Sequence, residues 1–342
     1  MKILPVTIGL MLAILGLVSC GGDSNSTPQL TVEAEPQSEE QVAVSQLTAA
    51  LADDPDNAEL YAERGAIFLE NGVYDRAIID FKRSLERDSS RVAVWHLLAD
   101  AQMDNLRSRE ALNTMIFASS RFKERVPTLL KLAELQFIVK QHDDALATLD
   151  RAVRVDPNEG EIFFMIGEVL REKGDTVRAI NSYQRATELN PKILDAWLAL
   201  GTLFEAKGNS IAERYFKTAT AIDRKAAIPY RMLADYYSRQ DRLPEAIKLY
   251  DEAINRDPQY DEAFYNSGLV YLDMDSLVKA KQQFDRAVEV RPGYVEARFY
   301  QGVALELQGN IAGARTAYQQ ALNLAPSFTN AQQALERLQA AQ

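Results

Sequence analysis

An alanine recurs every 34 residues along this 342-residue chain: Ala77, Ala111, Ala145 and Ala179, then, after a one-residue deletion, Ala212, Ala246, Ala280 and Ala314. Twelve positions before the first four stand Gly65, Ala99, Ala133 and Gly167, and the later partners are Gly201, Ala234, Gly268 and Gly302. A second small residue follows seven positions on: Ser84 once, then Ala118, Ala152, Ala186, Ala219, Ala253, Ala287 and Ala321. A fixed period in this range marks stacked supersecondary units, none of which buries its apolar faces alone. Such a chain grows by repetition, so its length does not imply two globular domains.

Counting each unit from Ala58, Val92, Val126, Gly160, Leu194, Ala227, Asp261 and Val295 brings further columns into register. Position 4 holds Tyr61, Trp95, Phe163, Trp197, Tyr230 and Phe264; position 24 holds Phe81, Met115, Leu149, Tyr183, Phe216, Tyr250, Phe284 and Tyr318. Position 32 is Pro157, Pro191, Pro258, Pro292 or Pro326 in five units. Two apolar stripes at helical spacing flank a polar turn in every unit, which predicts helix–turn–helix. Gly72, Gly174, Gly208 and Gly309 suit the left-handed residue that ends the first helix. Proline cannot sit inside a helix with its hydrogen bonds intact, so position 32 punctuates the join between units.

This pattern resembles the tetratricopeptide repeat, over residues 58–328. The resemblance implies an all-α, right-handed α-solenoid of eight helix–turn–helix repeats, at 58–91, 92–125, 126–159, 160–193, 194–226, 227–260, 261–294 and 295–328. The register runs past both ends. Ala43, Leu47, Ala50 and Pro55 predict an N-terminal half-repeat within 38–57, and 329–342 reads as a capping helix with Ala331, Ala334, Leu335 and Leu338 facing inward. Gln102 in a usually aromatic column, Lys123 in place of proline and the deletion between Gly208 and Ala212 predict local irregularity around 102–126 and 208–213.

The first residues bear on compartment. Met1-Lys2 followed by the apolar run 3–18 has the shape of a secretory signal, and at 16 residues it is marginal for a permanent span. The tetrad Leu17-Val18-Ser19-Cys20, with the only cysteine of the chain, resembles a bacterial lipobox. That resemblance implies a signal peptide at 1–19, fatty acylation of Cys20 and anchoring in the bacterial cell envelope; the residues alone also fit an ordinary signal peptide with a chance cysteine. Gly21 and Gly22, rather than an aspartate, follow the cysteine, which by resemblance to the sorting rule points to the outer membrane. Residues 20–37, rich in Ser, Thr, Pro, Gly and Glu, read as the lipidated cysteine and a disordered tether.

Composition removes several function classes. A net charge of −11 without a basic stripe argues against nucleic acid, where phosphate neutralisation dominates affinity. No phosphate-binding glycine loop or nucleophile elbow appears, and caps and tether leave no room for a catalytic domain, so neither an enzyme nor a cofactor is expected. His96 and Asp100 sit four apart on one helix face, but no third ligand follows at usable spacing, so no metal is expected.

In proteins with this repeat, positions 2, 5, 9, 12 and 13 of the first helix line a concave groove. Carried over, that rule selects His96, Asp100, Glu134, Phe164, Glu168, Leu198, Arg231, Asp235, Tyr265 and Phe299 as partner-binding candidates. Acids at position 9 would make the middle of the groove negative, and the aromatics would anchor an extended or helical segment carrying some basic residues. The expected function is a lipid-anchored scaffold or adaptor whose partners are proteins or peptide segments of the envelope, in secretion, pilus, outer-membrane or cell-wall assembly. The alternatives are a glycan- or other ligand-binding envelope protein, or a non-catalytic subunit of an envelope enzyme.

Overall fold

The computed structural model of the protein describes residues 38–340, so the leader, Cys20 and the tether lie outside the described residues. The described residues form 18 α-helices and no strand. A lone helix, α1 (Glu39–Asp53), comes first, opened by a capping box in which Ser38 and Gln41 satisfy each other's backbone N–H. Eight helix pairs follow. Their first helices are α2 (Ala58–Glu70), α4 (Val92–Asp104), α6 (Val126–Ile138), α8 (Gly160–Glu172), α10 (Leu194–Ala206), α12 (Ile228–Arg239), α14 (Asp261–Asp273) and α16 (Val295–Leu307). Their second helices are α3 (Tyr74–Arg87), α5 (Ser108–Arg121), α7 (His142–Val155), α9 (Thr176–Leu189), α11 (Ile211–Ile222), α13 (Leu243–Arg256), α15 (Leu277–Val290) and α17 (Ile311–Leu324). The helix α18 (Thr329–Ala340) closes the stack and buries Ala331, Ala334, Leu335 and Leu338.

Each helix packs on the next in sequence, and the first helices of successive repeats also touch one another, as α2 does α4 and α6 does α8. The first helices therefore make the tight inner wall of the stack, and the second helices stand outside it. The arrangement is an α-solenoid, as the 34-residue period implies.

What brings the two helices of a repeat together is the pairing of positions 8 and 24. In five repeats position 8 is glycine, and its Cα faces the flat side of an aromatic ring. A Cβ built on Gly65 would lie 2.8 Å from the Phe81 ring; on Gly167, 2.5 Å from Tyr183; on Gly201, 2.6 Å from Phe216; on Gly268, 2.6 Å from Phe284; and on Gly302, 2.6 Å from Tyr318. Where position 24 is Met115 or Leu149, the partner is Ala99 or Ala133. Ring and methyl thus compete for one volume, and Ala234 beside Tyr250 is the single exception. All eight position-24 side chains are 0–2 % exposed.

The turn within each repeat obeys an equally strict backbone rule. Position 15 has positive φ in all eight units: Gly72, Gly174, Gly208 and Gly309, but also Leu106, Lys140, Asp241 and Asp275, at φ between 53° and 63°. The left-handed geometry costs an L-residue roughly 1–2 kcal/mol. Four repeats bear that cost, and Leu106 bears it while 93 % exposed. Sequence reading finds the four glycines and misses the other four residues because no glycine marks them.

Between repeats, the chain leaves the second helix and in five units reaches the position-32 proline two residues later, as Pro157 follows Val155 and Pro191 follows Leu189. Both position-4 tryptophans fasten this turn: Trp95 Nε1 donates to the Ser89 carbonyl at 3.0 Å and Trp197 Nε1 to that of Pro191 at 2.9 Å. Gln332 in α18 repeats the same bond to Pro326 at 2.8 Å, so the cap keeps the array's register.

The irregularity expected around 102–126 is not found. Helices α4 and α5 keep the ordinary lengths of 13 and 14 residues. Gln102 is buried and accepts from Thr114 Oγ1 at 2.8 Å, and the next repeat does the same with Gln136 and Thr148. A satisfied polar pair replaces an apolar contact at no cost in geometry. The deletion near 208–213 does register: α11 has 12 residues where the other second helices have 14.

Substituting Gly201→Ala tests the ring-against-backbone pairing. Alanine is the better helix former by about 1 kcal/mol, yet overpacking costs typically 1–3 kcal/mol, so the variant should be less stable than the parent in urea or thermal melts. A melt unchanged or raised would show that the Phe216 ring moves aside freely.

Candidate functional site

Every repeat contributes its first helix to the inner wall, and nine of the ten residues proposed from sequence lie on it partly exposed. The tenth, Leu198, is corrected by the structure. It is 6 % exposed, in a core cluster with Ala212, Phe216 and Leu233, and a partner cannot reach it. The one-residue deletion lies in this repeat.

The acids at position 9 are not free charges. Lys131 on α6 bridges Asp100 of the preceding repeat, at 2.5 Å, and Glu134 of its own, at 3.3 Å. Burial disfavours the Lys131 ammonium, but the hydrogen bond and attraction of Asp100, aided by Glu134, outweigh it and raise its pKa. Glu168 Oε1 accepts from the Tyr183 hydroxyl at 2.5 Å, and its Oε2 accepts from Arg171 at 2.6 Å. Asp235 accepts from Tyr250 at 2.6 Å, from Asn266 at 3.0 Å and from Arg231, which also donates to the Tyr260 hydroxyl at 2.6 Å. Burial, then the neighbouring carboxylate, pushes both the Tyr183 and the Tyr250 hydroxyls well above the ordinary phenol range.

These contacts give position 9 a structural reason. A buried tyrosine at position 24 ends in a hydroxyl that needs an acceptor. Where position 24 is Tyr183 or Tyr250, position 9 is Glu168 or Asp235; where it is Phe81 or Phe284, position 9 is Ala66 or Leu269. Tyr318 meets the same need differently, donating at 2.6 Å to Glu306 at position 12. Asp100 and Glu134, opposite Met115 and Leu149, lie outside this pairing; in the sequence all four acids read as a negative strip. Each of these acids meets a cation of the wall, with Asp100 and Glu134 sharing Lys131, so the strip is only partly neutralised.

His96 Nε2 lies 3.0 Å from Thr128 Oγ1 on α6, and Asp100, one turn on, reaches Lys131 of the same helix. The two residues share a face as expected, and that face looks toward the third repeat. Burial lowers the His96 pKa more than Asp100 raises it, leaving the ring neutral at pH 7. Among the described residues, no three His, Cys, Asp or Glu side chains form a metal-binding group.

The aromatic candidates are partly exposed and partly seated in the core. Phe164 packs on Tyr183 at 6.0 Å between centroids. Tyr265 lies among Tyr294, at 5.0 Å, Tyr300 and Phe284. Phe299 meets Tyr300 at 5.2 Å, Tyr318 and Phe328. Between these anchors, Asp235, Ser238, Arg239, Tyr250, Asn266 and Leu269 surround a hollow of about 190 Å³. Of this group only Asp235 was among the ten candidates; Ser238 and Arg239 stand at groove positions 12 and 13, which the candidate set did not draw on, and Asn266, at position 6, lies in no groove column. With its carboxylate fully engaged, the hollow offers hydrogen-bonding edges and an apolar floor.

The comparisons with known proteins agree with this architecture. A tetratricopeptide repeat model matches residues 41–91 and 265–327, and a second TPR repeat model matches 167–208 and 234–275. The human protein O-mannosyl-transferase TMTC1 is 24 % identical over 196 residues, 56 % of this chain and 22 % of that protein. The peroxisomal targeting signal receptor of Candida albicans is 25 % identical over 231 residues, 62 % of this chain and 38 % of the receptor. The chain thus spans between a fifth and two fifths of these curated relatives. Among solved structures, the APC/C hetero-tetramer Cut9-Hcn1 superposes with a TM-score of 0.55 at 15 % identity, covering 87 % of this chain and 58 % of that one, a likeness of fold.

If the tyrosine hydroxyls dictate position 9, Glu168→Leu should destabilise the chain by about 1–3 kcal/mol, the usual cost of a buried hydroxyl left without an acceptor. Adding Tyr183→Phe should recover most of the loss, because the double variant copies the Leu269–Phe284 pairing. Urea melts of the single and double variants decide it: additive losses would rule the pairing out.

Proposed function

Because this chain is a stack of tetratricopeptide repeats, we propose that it is a non-catalytic scaffold that binds a protein or peptide segment along the inner wall of its first helices. The observation that carries this reading is the placement of Phe164, Tyr265 and Phe299. All three lie on the inner wall, partly exposed and held by ring packing from below. Rigid aromatic side chains lose little entropy on binding and commonly supply much of an interface's energy. The engaged carboxylates contribute hydrogen-bond edges and selectivity, in keeping with a largely apolar segment. The name of the Candida relative, a receptor for a targeting signal, describes a protein that recognises such a segment.

A photo-crosslinking amino acid tests the surface in cells. Placed at position 164, 265 or 299, it should yield discrete crosslinked proteins; placed at Val177 or Val278, exposed on the second helices, it should not. Equal yields from both sets would remove the inner wall as the binding surface.

We further propose that the scaffold is held in a bacterial envelope, at the outer membrane, by fatty acylation of Cys20, and acts in assembling an envelope complex. This part rests on the Leu17-Val18-Ser19-Cys20 tetrad behind its apolar run and on Gly21-Gly22 after it. Two or more acyl chains anchor stably where one holds marginally. Radiolabelled palmitate should enter the protein, and Cys20→Ala should abolish the label and release the chain from the membrane fraction. A labelled or membrane-retained Cys20→Ala chain would count against the anchor.

A further inference from the structure

The outer side of the stack carries a charge cluster that the inner-wall reading does not use. Successive first helices touch, and the second helices spread apart. Between α5 and α7 that spread leaves a cleft of about 510 Å³ lined by Ser120, Lys123, Glu124, Arg151, Arg154 and Val155. Arg121 and Arg125 flank it in sequence. The chain as a whole is acidic, at −11. Yet none of these five cations has a carboxylate within 4.0 Å among the described residues, whereas most basic groups elsewhere on the stack do.

The repeats themselves supply the comparison. Position 26 is arginine in the first, third, fourth and seventh repeats, and in the first Arg83 lies 4.0 Å from Asp80. In the fourth, Arg185 pairs with Glu188 at position 29, at 3.3 Å; in the seventh, Arg286 pairs with Glu289, at 2.6 Å. In the third, position 29 is Arg154, so two like charges stand three residues apart on one helix face, an arrangement that is mildly destabilising on its own. Lys123 adds a third charge where five other repeats have proline, in a turn of otherwise ordinary length. On the α7 side, Val155 lines the cleft and is 38 % exposed. Glu124 is the one acid lining the cleft. The repeat framework does not require these cations.

We propose that this outer cleft binds an acidic peptide segment, whose carboxylates meet Lys123, Arg151 and Arg154 while an apolar side chain rests on Val155. Three cations spread along an open trough with the apolar Val155 among them suit an extended chain better than a single small anion, which two arginines would saturate. The site is separate from the inner wall, so the scaffold carries a second docking surface, cationic where the first rests on aromatic anchors.

The variant Lys123→Gln/Arg154→Glu tests it, since Arg154→Glu recreates the Arg185–Glu188 pairing and removes a like-charge repulsion. Its thermal melt should therefore match or exceed that of the parent. The full-length chain should bind a fluorescein-labelled peptide of glutamates around one phenylalanine in an anisotropy titration, more weakly as salt rises. The variant should bind it about tenfold or more less tightly. Equal affinity of parent and variant would overturn the proposal. So would displacement of the peptide by inorganic phosphate or phosphatidylglycerol vesicles at lower concentrations than by unlabelled peptide, which would assign the cleft to those anions.

Discussion

One contact sets the geometry of most of the molecule: the approach of a first-helix backbone, bare of any side chain at position 8 in five repeats, to a ring at position 24. Gly167 against Tyr183 and Gly201 against Phe216 bring two helices to a separation that an added methyl would forbid. Once that separation is fixed, positions 20 and 27 must be small as well, and Ala179, Ala186 and their counterparts are fully buried. The pairs then stack with first helix against first helix. An inner wall and a parted outer surface are both consequences of this one close approach.

The polar groups of the wall follow from the same ring. Making position 24 a tyrosine extends it to the edge of the core, where its hydroxyl must find an acceptor. Glu168, Asp235 and Glu306 are those acceptors, and Arg171, Arg231 and Arg337 in turn balance them. Carboxylates that look on paper like a recognition strip are therefore bound into the packing, and the half-seated aromatics become the groups with contacts to spare. Recognition and stability share the same side chains, so a partner meets a rigid surface that needs little ordering on binding.

The repeats also act as internal controls for one another. Residues at equivalent positions stand in nearly equivalent surroundings, so a departure that the packing does not require points to some other demand. Gln102 is a departure that packing explains, since Thr114 satisfies it and the next repeat does the same. Leu106 in a left-handed turn has no contact that explains it. Arg154 beside Arg151, and Lys123 at a proline position, cluster on one cleft and have no role in the stacking.

The sequence by itself determined the period, the number of units, the helix–turn–helix within each and the core columns, because a repeat writes each structural requirement eight times. It did not distinguish an acid that faces a ligand from one that caps a tyrosine hydroxyl, although the pairing of position 9 with position 24 was present to be read. Nor did it place Leu198 in the core. Tertiary structure decided these points. Whether a side chain on the inner stripe of a helix is covered or free depends on the neighbouring repeat, as His96 depends on Thr128 and Asp100 on Lys131. The outer cleft too exists only once stacking has parted α5 from α7. Periodicity registers what every unit shares, and a binding surface is made where two unlike units meet.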